Sequence, residues 1–221
     1  MDIKKILTSV DHTLLKQTAT KEQIEKVCQE AIDYSCASVC IPPYFVKAIN
    51  ERFGASLNIC TVIGFPAGYS TKNIKYQETL QAVSDGANEI DMVLNINMLK
   101  DQLYDDILEE INLVKEAAGE RILKVIIESC LLTQEEKIKM CSIISKSNAD
   151  YIKTSTGFSS GGATLEDVML FRQHLDSSKK IKAAGGIRSL EDAEAFLKAG
   201  ADRLGTSSIV KIIKEEKLSD Y

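Results

Sequence analysis

Tryptophan is absent from the 221 residues, proline occurs only three times, and the two histidines, His12 and His174, stand alone. None of the six cysteines (Cys28, Cys36, Cys40, Cys60, Cys130 and Cys141) forms a C-x-x-C pair, and no histidine lies at ligand spacing from one. This excludes the usual zinc-site patterns and points to reduced thiols without a metal. No block of basic residues occurs, and 27 Lys and Arg against 32 Asp and Glu leave a formal charge of −5, which argues against nucleic acid as a partner. No apolar run reaches the length of a membrane span or a signal peptide. A cytoplasmic location follows as the expectation. Low-complexity and linker-like stretches are also missing, so residues 1–221 are expected to form a single domain.

What is present is an alternation of β-rich runs and amphipathic helical patterns. Strand-like runs are read at Val10–Leu14, Ala37–Ile41, Leu57–Phe65, Glu89–Asn95, Leu123–Glu128, Asp150–Gly157, Ile181–Ala184 and Arg203–Gly205. Helical patterns fill the intervals, among them Thr71–Asp85 with Ile74, Leu80 and Val83, Asp101–Ala118, and a last one from Ser207. Thr20 with Gln23, and Thr133 with Glu136, have the spacing of capping boxes. A joint recurs just before strands, as Gly86-Ala87-Asn88, Asn148-Ala149-Asp150 and Gly200-Ala201-Asp202, where Gly or Asn would end the helix in a left-handed conformation. Eight strand-then-helix units of roughly 28 residues predict a (β/α)8 TIM barrel with a short N-terminal helix. An open doubly wound sheet is the alternative, but no G-x-G-x-x-G follows the first strand.

In such a barrel the chemistry lies at the C-terminal ends of the strands. The stretch Asp150–Gly157, DYIKTSTG, places Lys153 in the middle of a buried strand, on one face with Tyr151 and Ser155. A buried amine is either paired with a carboxylate or is a nucleophile able to form a Schiff base. Asp91, Lys124 and Lys182 fall at inward positions of their own strands by the same period of two. Glycine-rich turns follow the last three strands, at Gly157, Gly185-Gly186 and Gly205 with Ser207 and Ser208. Amide-lined turns of this kind form a phosphate site. Asp11, Thr13, Cys40, Lys124 and Thr156 are further candidates to line the substrate pocket, Cys40 because it ends a strand near the mouth.

The motifs DHTLLK, ASVCIPP, TVIGFPAG, EIDMVLN, LKVIIES, YIKTSTGF, IKAAGGIR and RLGTSS span nearly the whole chain. Together they closely resemble the deoxyribose-phosphate aldolase family of Schiff-base (class I) aldolases. The resemblance implies a (β/α)8 barrel that needs no metal or cofactor and is often a homodimer. It implies reversible cleavage of 2-deoxy-D-ribose 5-phosphate to acetaldehyde and D-glyceraldehyde 3-phosphate. By motif match Lys153 corresponds to the Schiff-base lysine, Lys182 to the second active-site lysine, and Asp91 to the proton-relay carboxylate. Lys182 would be the charged neighbour that favours the neutral amine of Lys153. Some relatives use a C-terminal tyrosine, and this chain ends in Tyr221. Where some carry a lysine after the strand-six glycine, this chain has Phe158, which shifts the phosphate onto backbone amides, Ser207 and Ser208. A different sugar-phosphate barrel enzyme, such as an isomerase, and a non-catalytic phosphate-binding barrel are the competing readings.

Overall fold

The computed structural model describes residues 2–219. The elements run α1 (Ile3–Leu7), β1 (Val10–Thr13), α2 (Lys21–Asp33), β2 (Ser38–Ile41), α3 (Val46–Phe53), β3 (Ile59–Ile63), α4 (Lys72–Ser84) and β4 (Glu89–Val93). They continue with α5 (Ile96–Lys100), α6 (Tyr104–Ala118), β5 (Ile122–Ile126), α7 (Gln134–Lys146), β6 (Tyr151–Lys153), α8 (Leu165–His174), β7 (Lys180–Ala184), α9 (Leu190–Ala199), β8 (Arg203–Thr206) and α10 (Ile209–Ser219). Strands β1 to β8 pair in parallel in sequence order, and β8 returns to β1, so the sheet closes into a (β/α)8 barrel. The open doubly wound alternative is thereby excluded. Tyr221 lies outside the described residues.

Alternation along each strand divides the barrel into two environments. Outward residues such as Ile63, Ile90, Met92, Val125, Ile152 and Leu204 are buried against helix residues including Ile107, Ile111, Met140, Ile144 and Phe171. The hydrophobic core is therefore a ring between sheet and helices. Inward residues are largely polar, with apolar exceptions at Cys40, Cys60 and Val62, which form a small group, and at Val93, Ile126 and Ala184. Both expected capping boxes form, at Thr20–Gln23 and Thr133–Glu136, and Ser189 with Asp192 makes a third.

The recurring joint turns out to close the bottom of the barrel. The Asn88, Asp150 and Asp202 amides donate to the carbonyls of Ile59, Leu123 and Ile181 on the preceding strands. Their side chains in turn accept from the amides of the same three residues, at 2.9, 2.8 and 2.8 Å. Gly86 and Gly200 are left-handed as expected, with φ of 107° and 113°, but Asn148 is not. There α7 ends instead at an extended Ser147.

Several strands stop earlier than their β-rich runs. β6 covers only Tyr151–Lys153, and β3, β4 and β5 end at Ile63, Val93 and Ile126. The runs continue because the first loop residues are buried too, including Leu94, Ile127, Thr154 and Ser155. Burial selects apolar or compact residues whether or not the backbone stays in a ladder. The helix expected over 101–118 begins only at Tyr104, as α6, because Gln102 is left-handed at φ 58°, and the separate short α5 precedes that turn. On α4 the apolar face was misread. Ile74 is 59% exposed, whereas Lys75 is fully buried, donating to the Val93 carbonyl at 2.9 Å and pairing with Glu110 at 2.9 Å.

Candidate active site

The inward positions of six strands converge on one charged network. Asp91 on β4 is opposite Lys124 on β5, and Lys153 on β6 is opposite Lys182 on β7. Asp91 Oδ2 accepts from Lys153 Nζ at 2.7 Å and from Lys182 Nζ at 2.6 Å, while its Oδ1 accepts from Lys124 Nζ at 2.8 Å. Lys182 also pairs with Asp11 of β1 at 2.5 Å, and Lys124 with Glu89 of β4 at 2.5 Å. Arg203 of β8 completes the set, 2.6 Å from Asp11 and 3.3 Å from Glu89. Glu89 and Arg203 were missed by the sequence reading. For Glu89 the signal was available, since it lies two residues before Asp91, an inward position already recognised, whereas no inward position had been assigned on the strand of Arg203.

The electrostatics follow from what each group faces. Burial alone would raise the Asp91 carboxyl, but the ammonium groups of Lys124, Lys153 and Lys182 outweigh it and hold Asp91 well below the usual carboxylate range. Asp11 is likewise held down against burial, by Lys182, Lys124 and Arg203. Burial opposes the charge on Lys182, yet Asp11 and Asp91 keep it above the ordinary lysine value, and Lys124 is raised in the same way, chiefly by Asp91. Lys182 is therefore not the bare charged neighbour of Lys153 that was expected. A shared carboxylate oxygen stands between them, supplying attraction that the sequence reading left out.

A cavity of about 390 Å³ opens at the C-terminal ends of the strands above this network. Lys153 lines it, together with Thr13, Thr156, Gly157, Gly185, Gly186, Gly205, Ser207 and Ser208. Asp91 and Lys182 stand directly behind Lys153 without lining the cavity. Asp11, Cys40 and Lys124 were expected to line the pocket. They do not: all three are fully buried in the layer beneath it, because each is drawn into the interior by a partner there. Asp11 accepts from the Ser38 hydroxyl at 2.8 Å and from Arg203, Lys124 is held by Asp91 and Glu89, and Cys40 packs with Cys60 and Val62. Two further cations line the same cavity, Lys16 from the loop after β1 and Arg188 from the loop after β7. Neither has a carboxylate partner among the described residues. Phe158 lines the cavity as well, edge-on to Phe65 at 5.2 Å between ring centroids.

Among the described residues, two sets of buried atoms have spacings that a metal ion could bridge, Cys40 with Cys60 and Asp91, and Asp11 with Cys60 and Glu89, each within 4.8 Å. All three carboxylates already pair with a lysine or an arginine, so a cation would compete with those groups.

A closed parallel barrel with buried lysines meeting one carboxylate beneath an open, glycine-rimmed cavity defines a (β/α)8-barrel enzyme. Comparison with known proteins narrows this class. The sequence pattern described as DeoC/LacD family aldolase matches residues 5–211. A protein of Clostridium botulinum (strain Alaska E43 / Type E3) named deoxyribose-phosphate aldolase is 54% identical over 221 residues, covering 100% of both chains. One of the same name from Clostridioides difficile (strain 630) is 54% identical over 219 residues, covering 99% of this chain and 100% of the other. The tetrameric deoxyribose phosphate aldolase structure from Aeropyrum pernix superimposes with a TM-score of 0.88 at 29% identity, over 98% of this chain and 92% of that one. The chain belongs to the DeoC/LacD family of aldolases.

Proposed function

We propose that the enzyme cleaves 2-deoxy-D-ribose 5-phosphate reversibly to acetaldehyde and D-glyceraldehyde 3-phosphate through a Schiff base on Lys153. The observation that carries this reading is that Lys153, alone among the three lysines around Asp91, lines the cavity, with its Nζ 2.7 Å from Asp91. Lys124 and Lys182 each pair with a further carboxylate besides Asp91, and these carboxylates together keep both protonated against the effect of burial.

In the cleavage direction the Lys153 amine adds to the open-chain aldehyde, and loss of water forms the iminium. The iminium accepts the electron pair of the breaking C2–C3 bond while the C3 hydroxyl gives up its proton. D-glyceraldehyde 3-phosphate leaves, and an enamine stays on Lys153. Protonation at C2 and hydrolysis then release acetaldehyde and restore the amine. Asp91 is a weak base while three cations face it. When the iminium becomes a neutral enamine one of those cations is gone, so the proton affinity of Asp91 rises at the step that requires it to hold a proton. Lys182 stays charged beside it and relays the proton. The phosphate would sit on the turns of Gly157, Gly185, Gly186, Gly205, Ser207 and Ser208, with Lys16 and Arg188 supplying charge.

A cytoplasmic homodimer acting in deoxyribose phosphate breakdown completes the reading, and sedimentation would separate a dimer from a tetramer like that described for the Aeropyrum pernix protein. The test of the chemistry is borohydride reduction in the presence of acetaldehyde, followed by peptide mapping, beside an assay of acetaldehyde release from deoxyribose 5-phosphate. The adduct is expected on Lys153 and should vanish in Lys153→Leu. An adduct on Lys182, or none at all in enzyme that turns over, would overturn the assignment.

A further inference from the structure

Glu128 takes no part in the ion network, yet it is buried, and its backbone lies in the left-handed region at φ 49°. A residue other than glycine is kept there only where its surroundings over-determine it. Here the surroundings are the segment that follows Lys153. Glu128 Oε1 accepts from the Thr156 amide at 3.1 Å, and Oε2 accepts from the Thr156 hydroxyl at 2.5 Å. The same Thr156 oxygen accepts from the Phe158 amide at 3.0 Å. The backbones on either side are tied as well, Ile127 N–H donating to the Lys153 carbonyl at 3.0 Å and Ser129 N–H to the Thr154 carbonyl at 2.8 Å.

A hydroxyl has one proton and two lone pairs. Thr156 gives its proton to Glu128 and one lone pair to Phe158, so a single lone pair remains for the cavity that Thr156 lines. We propose that Glu128 is a positioning residue that sets the polarity of Thr156, making its hydroxyl an acceptor only. The site would then favour a substrate presenting a hydroxyl donor between the reacting carbon and the phosphate. In the three-carbon aldehyde this is the hydroxyl next to the aldehyde carbon. The identity of that substrate rests on the aldolase reading above; the polarity of Thr156 does not.

Glu128→Gln makes the consequence sharp. The Thr156 amide requires the oxygen of the new side chain, which turns its NH2 toward the Thr156 hydroxyl. Thr156 Oγ1 would then accept from both Gln and Phe158, and its own proton would be free to point into the cavity. Acceptor becomes donor without a change of shape.

The substrate test compares D-glyceraldehyde 3-phosphate with its 2-deoxy-2-fluoro analogue as partners for acetaldehyde, reading the ratio of kcat/KM. Fluorine accepts but does not donate, and its electronic effect on the aldehyde cancels when variants are compared. The wild type should favour the hydroxylated aldehyde over the fluorinated one by about tenfold more than Glu128→Gln does. Thr156→Ser should keep the wild-type ratio and Thr156→Val should lose it, which holds even if Glu128→Gln does not fold. A second arm needs no substrate: the Thr156 hydroxyl proton should be visible by NMR in the wild type as a slowly exchanging signal coupled to the Thr156 Cβ proton, and absent in Glu128→Gln. An unchanged ratio in a folded Glu128→Gln, or in Thr156→Val, would overturn the proposal, as would a missing hydroxyl signal in the wild type. Wild-type enzyme that neither cleaves nor condenses would instead sink the aldolase reading, with the NMR arm still deciding the polarity.

Discussion

Lys124, Lys153 and Lys182 share a residue type, a strand phase and one carboxylate, yet their environments differ. Lys153 faces an open cavity, Lys182 bridges Asp91 and Asp11, and Lys124 is sealed between Asp91 and Glu89. Removing one partner of a buried ion pair leaves the other charge uncompensated, which costs about 3 kcal/mol or more. Lys124→Met would remove one cation from two buried carboxylates at once, leaving Asp91 with Lys153 and Lys182 and Glu89 with Arg203 alone. It is expected to lower Tm by roughly 6–12 °C, the scale for that loss in a domain of this size, and to reduce activity by freeing Asp91 Oδ1. Calorimetry with a urea titration checks this. A Tm unchanged from the wild type would mean that Lys124 contributes little to the network. Periodicity put all three lysines inside the barrel. It could not rank them by exposure, because depth along the barrel axis depends on how the strands are staggered.

At the scale of elements, the turns after β6, β7 and β8 form one rim. Thr206 links two of them, its hydroxyl donating to the Ile187 carbonyl at 2.9 Å and accepting from the Ser208 amide at 3.1 Å. Gly185 packs so closely on Gly162 that a Cβ at Gly185 would come within 3.0 Å of the Gly162 Cα, and its φ of 81° excludes most side chains as well. Ser207→Asp would place a carboxylate where a phosphate is to bind. KM for deoxyribose 5-phosphate should rise roughly tenfold or more, while KM for free deoxyribose stays near the wild-type value. Equal changes for both sugars would remove Ser207 from the phosphate site. The glycines and serines of this rim were legible because tight turns at strand ends draw on small residues, and three such turns follow consecutive strands. Lys16 and Arg188 were not, since an exposed cation in a loop resembles any solvated charge until the loop is folded over the cavity.

For the whole molecule, the ionisable groups define a window of stability in pH. His12, buried behind β1 and bonded to Glu30 at 3.1 Å, is lowered from its ordinary value, chiefly by burial, with Glu30 opposing. The folded state therefore binds fewer protons there than the unfolded chain, and stability is lost as pH falls below about 6.5. Asp91 and Asp11 are depressed, so their contribution is complete above about 3.9 and is lost as pH falls toward their folded values. Lys124 and Lys182 are raised, and their contribution is complete below about 10.4 and is lost as pH rises through their folded values. Burial pushes the Cys28, Cys36 and Cys141 thiols up to about 12, so their contribution is lost as pH rises above about 9, and Tm should be flat from about pH 7 to 8, fall in alkali, and decline in acid in two stages. His12→Gln should flatten the first stage and leave the second. A first stage of equal size in that variant would assign the decline to other groups.

Local chemistry by itself determined the barrel, the inward phase of Asp91, Lys124, Lys153 and Lys182, the glycine-rich rim and two of the capping boxes. Each depends on spacing along the chain, and spacing is what a sequence records. Only the tertiary structure decided that one oxygen of Asp91 would stand between Lys153 and Lys182, that Glu89 and Arg203 would join the network, and that Lys75 rather than Ile74 would be buried on α4. It also placed Asp11, Cys40 and Lys124 below the cavity and not on its wall. These are distances between groups far apart in the chain, such as Asp11 and Arg203. They are set by strand register and barrel closure, which no local run of residues encodes.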